Sequence, residues 1–151
     1  MMTPYTPQPP RRLAAAVRRR GAAVLEMALT LGVLLALTFG TVEFGYFFFV
    51  KNAAQGAARE GARAAIPPTA SNADITTAVN ASLSAAGLRT SDFTTTVRVN
   101  GTVANVNTAT AGQQVEVRVT ATWSTVGLRP IGLIGANKVV LGAAAMRKEA
   151  N

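Results

Sequence analysis

The sequence predicts an α+β protein: a long N-terminal transmembrane helix, then a small ectodomain made of one short helix and a three- to four-stranded antiparallel sheet. Three observations carry that prediction. Residues 27–42 form a run without a charge, inside a wider, almost wholly apolar stretch over 22–50 that Glu26, Glu43 and a few threonines and glycines interrupt. The helical pattern outlasts that stretch as far as Pro67 and Pro68. Beyond residue 90 the apolar period changes from helical spacing to alternation, the mark of half-buried strands.

The first segment, residues 1–21, is a basic, proline-rich leader. Its opening MMTPYTPQPP holds four prolines, which neither continue a helix nor pair in a central strand, and it reads as disordered. Five arginines, Arg11, Arg12, Arg18, Arg19 and Arg20, follow with no acid among them. Residues 22–50 form the transmembrane helix. A hydrocarbon layer of about 30 Å needs about 20 helical residues at ~1.5 Å each, and residues 27–46 supply them. The arginines at one end and Tyr46, Phe47, Phe48 and Phe49 at the other match the positive-inside bias and the aromatic belt, which places the N-terminus in the cytoplasm. Residues 51–66 continue the helix outside the membrane: they are alanine-rich, free of proline and hold Glu60 and Arg63 at i,i+3.

Residues 67–151 form the ectodomain. Ser71 and Asp74 have capping-box-like spacing before Ile75, Val79 and Leu83, and Gly87 stands where that helix would end. Phe93, Thr95, Val97 and Val99 then alternate with their neighbours up to Asn100-Gly101, a hairpin turn signal, and a return strand over 102–106 follows. Val115, Val117, Val119, Ala121 and Trp123 give the apolar face of a longer strand, on which Trp123 reads as core rather than as a surface recognition residue. Residues 127–135 are a linker and residues 138–146 the last strand.

Composition narrows the function classes. Hydrophobic residues make up 49% and charged residues 15%, against roughly 25% charged in an average soluble domain, which leans to the membrane class. A formal charge of +8 would by itself point to nucleic acid. The leader holds the excess, however, since residues 22–151 carry ten basic and seven acidic groups, a net +3, and no nucleic-acid partner is expected. The absence of cysteine and histidine removes disulfides, thiolate nucleophiles, imidazole catalysis and most zinc chemistry. Asp74, Asp92, Glu116 and Glu149 are scattered over turns and strand faces. No catalytic residue, metal or cofactor is expected, and the chain reads as non-enzymatic.

In the junction RRRGAAVLEM a basic stretch ends at Gly21 and an acid, Glu26, stands five residues into the apolar run. It resembles a type IV prepilin processing site. That resemblance implies cleavage between Gly21 and Ala22 by an inner-membrane prepilin peptidase, with Glu26 helping subunits enter register. Met27 stands where major pilins of the Flp subfamily usually carry an aromatic. Further on, the Glu43-Phe44-Gly45 triplet and the stretch Ala57-Ala58-Arg59-Glu60-Gly61-Ala62-Arg63 complete a pattern, about 45 residues long by the sequence itself, that is similar to the N-terminal signature of TadE-like minor pseudopilins. Arg59, Glu60, Gly61 and Arg63 are its family motif. Membership implies a role in the tight adherence (Tad/Flp) pilus machine and hence in cell adhesion, with other pilin-like subunits, the Tad assembly machinery and the lipid bilayer as partners.

Ala28, Gly32, Ala36 and Gly40 repeat every four positions along the membrane segment, and such small-residue faces let helices approach closely. At ~100° per residue Glu43 falls within about 20° of Gly32 and Ala36, so a helix pairing there would shield the acid, while Glu26 projects about 100° away toward a different contact. The stripe has a plainer reading too, simple abundance of alanine and glycine. Outside the membrane the spacing continues with Ala53, Ala57, Gly61 and Ala65, which either packs on neighbouring helices or is covered by the protein's own sheet. The expected function is assembly of adhesive pili from the inner membrane, single-pass, with the C-terminal part extracytoplasmic. The alternative is an anchored envelope protein with a ligand- or partner-binding ectodomain and no filament role.

Overall fold

The computed structural model describes residues 11–150, with side chains from Gly21 onward, so the proline-rich stretch 1–10 lies outside the described residues. Helix α1 runs over Arg11–Ala64, 54 residues. It starts inside the basic leader rather than at Ala22, because residues 11–20 are strong helix formers once the prolines are passed. It stops before Pro67 and Pro68. The chain divides into two compact units, Met1–Phe39 and Gly40–Asn151. The first consists, in its described part, of α1 alone.

In the second unit the remainder of α1 and helix α2, Asn72–Ala85, accompany a four-stranded antiparallel sheet. Ser71 caps α2 through a reciprocal box: the Asp74 N–H donates to Ser71 Oγ at 3.3 Å and the Ser71 N–H donates to Asp74 Oδ2 at 2.9 Å. At the other end Gly87 takes φ +73°, and the N–H groups of Leu88 and Gly87 reach the carbonyls of Leu83 and Ser84. The strands are β1 (Thr94–Val99), β2 (Thr102–Val103), β3 (Gln114–Thr122) and β4 (Val139–Arg147), in the order β2-β1-β3-β4. Asn100 at φ 47° and Gly101 at φ 85° make the tight turn of the β1–β2 hairpin.

Two strand expectations are corrected. The return strand over 102–106 shrinks to Thr102–Val103, because Asn105 caps a 3₁₀ turn at Val106–Thr108, its side chain accepting the Asn107 N–H. Trp123 leaves β3 for a short helical turn, α3 (Trp123–Val126), whose first amides donate to the carbonyls of Lys138 and Ala136. It is nonetheless fully buried, edge-on to Phe47 at 5.2 Å and tilted against Tyr46 at 6.1 Å between ring centroids.

The core lies between the helices and one sheet face: Ile75, Val79 and Leu83 of α2, Ala54, Ala57, Ala58, Ala62 and Ala65 around the end of α1, and Val97, Val115, Val117, Val119 and Val140 of the sheet. Small residues let α1 come close. A Cβ on Gly61 would stand 2.6 Å from Val79 Cγ2 and 3.1 Å from Val117 Cγ1, and one on Gly142 would run into the backbone of Ala54. The Gln55 amide completes this contact by giving a hydrogen bond to the Ala143 carbonyl, 2.7 Å, and taking one from its N–H, 3.2 Å, so it occupies backbone groups of the edge strand β4. The C-terminal end closes back on the unit: buried Lys148 donates to the Val106 carbonyl at 3.0 Å, and the Glu149 N–H donates to Ile66.

Candidate functional site on the long helix

Every residue from Gly21 to Phe39 is exposed. Among the described residues one helix, Gly21–Ala64, is long and apolar enough to cross a membrane, with mean hydropathy 2.1 in its most apolar window. That fits a single-pass membrane protein. Two of its hydroxyls are satisfied within the helix: Thr30 Oγ1 donates to the Glu26 carbonyl at 2.9 Å and Thr38 Oγ1 to that of Leu34 at 2.8 Å, as polar groups in lipid require.

Within this stretch the predicted site residues Ala22, Glu26, Ala28, Gly32 and Ala36 all face outward. Gly21 is helical, and a Cβ there would meet nothing within 4 Å. Neither backbone conformation nor packing among the described residues therefore demands a glycine at this position.

Gly40 and Glu43 have a different situation. Both are buried by their own chain. A Cβ on Gly40 would lie 3.2 Å from Leu133 Cδ1, and Glu43 is 0% exposed, with Oε1 accepting the Ile134 N–H at 2.8 Å. Its other oxygen, Oε2, is buried with no hydrogen-bond partner among the described residues. The shield that helical geometry assigns to a neighbouring helix is thus supplied at Glu43 by a loop of the same chain. In the family triplet Phe44 is 48% exposed and Gly45 opens onto free space.

The remaining motif splits by face. Gly61 is buried at the contact with Val79 and Val117, whereas Arg59, Glu60 and Arg63 point to solvent, with Arg63 and Glu60 paired at 2.9 Å. An exposed pair of this kind contributes roughly 0–1 kcal/mol. Ala57, Gly61 and Ala65 are buried and Ala53 half-buried, so the protein's own sheet and second helix cover the outer small-residue stripe. The aromatic belt divides too: Phe48 and Phe49 are exposed, Tyr46 and Phe47 pack on Trp123.

Sequence reasoning missed Gln55, Gly142 and the loop that receives Glu43. The signal for Gln55 was faint, a lone amide among alanines facing the sheet. Among the described residues no group of three or more acidic, histidine or cysteine side chains could hold a metal.

No curated protein and no solved structure matches the chain. A family model described as TadE-like protein matches residues 21–63, the stretch that holds Gly21, Glu26, Glu43 and the motif through Arg63. The segment from Gly21 to Arg63 is therefore TadE-like, which supports a protein associated with the Tad/Flp pilus system.

Proposed function

We propose that the chain is a minor pseudopilin-type membrane protein that takes part in assembling Tad/Flp-type adhesive pili, held in the inner membrane with its N-terminus in the cytoplasm and its folded unit outside. The observation that carries this reading is an apolar helix surface over residues 21–39 with no cover of its own and one acid, Glu26, near its start. Lipid satisfies the apolar surface. It does not satisfy the carboxylate, which costs up to about 3 kcal/mol within a bilayer by insertion scales. A new ammonium on Ala22 of a neighbouring subunit would neutralise it, coupling assembly to processing.

Gly21 supports the same reading. A glycine inside a helix costs ~1 kcal/mol relative to alanine, and no contact among the described residues requires it. A prepilin peptidase that demands a small residue before the cut supplies a reason. The outward face of Ala28, Gly32 and Ala36 then lets other pilin-like subunits or parts of the Tad machinery approach closely. The TadE-like family is structural, which agrees with a non-enzymatic role.

Mass spectrometry of the mature N-terminus tests the proposal. A chain starting at Ala22 is expected, and Gly21→Val should leave the leader in place. An intact leader on the unaltered protein would favour a plain anchored envelope protein, and a start beyond residue 40 would favour a secreted one.

A further inference from the structure

The loop whose Ile134 amide binds Glu43 does more than bury an acid. Residues 127–138 read GLRPIGLIGANK, and between α3 and β4 they adopt no regular structure. Ile134 turns inward, but Leu128, Ile131 and Leu133 are 50%, 43% and 57% exposed. Three large apolar side chains on one outward loop are unusual for a surface in water. The loop is tied to α1 at Gly40, through Leu133, and at Glu43, through the Ile134 amide. Around that tie α1 shows further uncovered apolar surface, at Val42, Phe44, Phe48 and Phe49.

The tie sets the level. A hydrocarbon layer of about 30 Å is crossed by about 20 helical residues, and over residues 27–46 that puts Gly40 and Glu43 in the last two turns of the span. The loop is therefore fastened at the level where the helix leaves the hydrocarbon. Its charges suit that place: Arg129 and Lys138 are exposed on the loop and Lys51 on the helix beyond it, while the one acid over residues 40–51 and 127–138 is the buried Glu43.

We propose that the 127–138 loop is a second membrane contact, in which Leu128, Ile131 and Leu133 enter the interface of the outward leaflet and Arg129 and Lys138 meet the phosphates of anionic phospholipid. Apolar side chains flanked by cations bind an anionic interface by both terms at once. Glu43 is the positioning residue, since its carboxylate holds the loop at the depth of the interface. The inference rests on α1 spanning the bilayer.

The absence of cysteine makes the test direct. Single variants Leu128→Cys, Ile131→Cys, Val33→Cys and Thr110→Cys of the full chain carry an environment-sensitive fluorophore, in vesicles of phosphatidylethanolamine and phosphatidylglycerol. Leu128 and Ile131 are exposed, so these changes remove little packing. Expected is a blue shift at 128 and 131 and protection from aqueous iodide approaching that at 33, with the label at 110 fully quenched. Quenching at 128 and 131 equal to that at 110, while 33 stays protected, would overturn the loop contact and leave the spanning helix standing. Quenching at 33 as well would overturn both. Protection at 128 that grows with the protein-to-lipid ratio would assign the loop to a second copy and overturn the lipid assignment.

Discussion

At Gly142 a methyl group would land on the backbone of Ala54 and Gln55, atoms that cannot rotate away. Gly142→Ala is expected to force α1 off the sheet and to cost about 3 kcal/mol, the upper part of the range for overpacked cores, in chemical unfolding of the detergent-solubilised chain. Gly61→Ala should cost less, about 1 kcal/mol, because the obstructing atom is a methyl of Val79 that can shift and because alanine gains ~1 kcal/mol of helix propensity. Equal losses at the two positions would contradict the contrast between a rigid and a yielding neighbour. Glu43 acts at the same scale but over a distance of 91 residues in sequence. Glu43→Ala removes the acceptor of the Ile134 amide, which is expected to exchange with solvent much faster than in the unaltered chain. Unchanged protection at Ile134 would mean that the carboxylate does not hold the loop.

Among the elements, α2 carries its own pH response. The Ser71 hydroxyl and the Ser71 N–H both donate to the Asp74 carboxylate, which lowers its pKa below the ordinary value. A carboxylate depressed in the folded state contributes stability in full above its unfolded pKa of about 3.9 and loses it as pH falls through the folded value. The melting temperature of Asp74→Asn should therefore lie below that of the unaltered chain at neutral pH, with the gap closing in acid. A gap independent of pH would rule out the charge as its cause. This helix was legible in advance because its signals are local: a cap, an acid at the third position and a terminal glycine. The Asn100-Gly101 turn was legible for the same reason, since two adjacent positive φ angles leave little choice of residue. The end of β3 was not. Trp123 keeps the alternating phase of the valines, yet amide bonds to Lys138 and Ala136 turn the chain there, and those partners belong to a loop without a pattern of its own.

For the molecule as a whole, the membrane helix and the α+β class followed from hydropathy and period, while the contacts that join distant segments did not. Helical phase groups Glu43 with Gly32 and Ala36, but phase cannot say which partner buries an acid. A neighbouring helix and a loop 91 residues later leave the same pattern in α1. The same limit applies to the outer stripe, where spacing allowed either a bundle or the protein's own sheet and the valines of β3 decided for the sheet. What the chain leaves uncovered is residues 21–39 and the acid within them, and the proposed role in pilus assembly stands on that surface. Glu26→Ala tests it most directly, with membrane insertion, N-terminal processing and surface pili scored on the same cells. The account predicts a variant that inserts and is cut as before while pili are lost or sharply reduced. Normal pili on cells whose only copy of the protein is Glu26→Ala would contradict it.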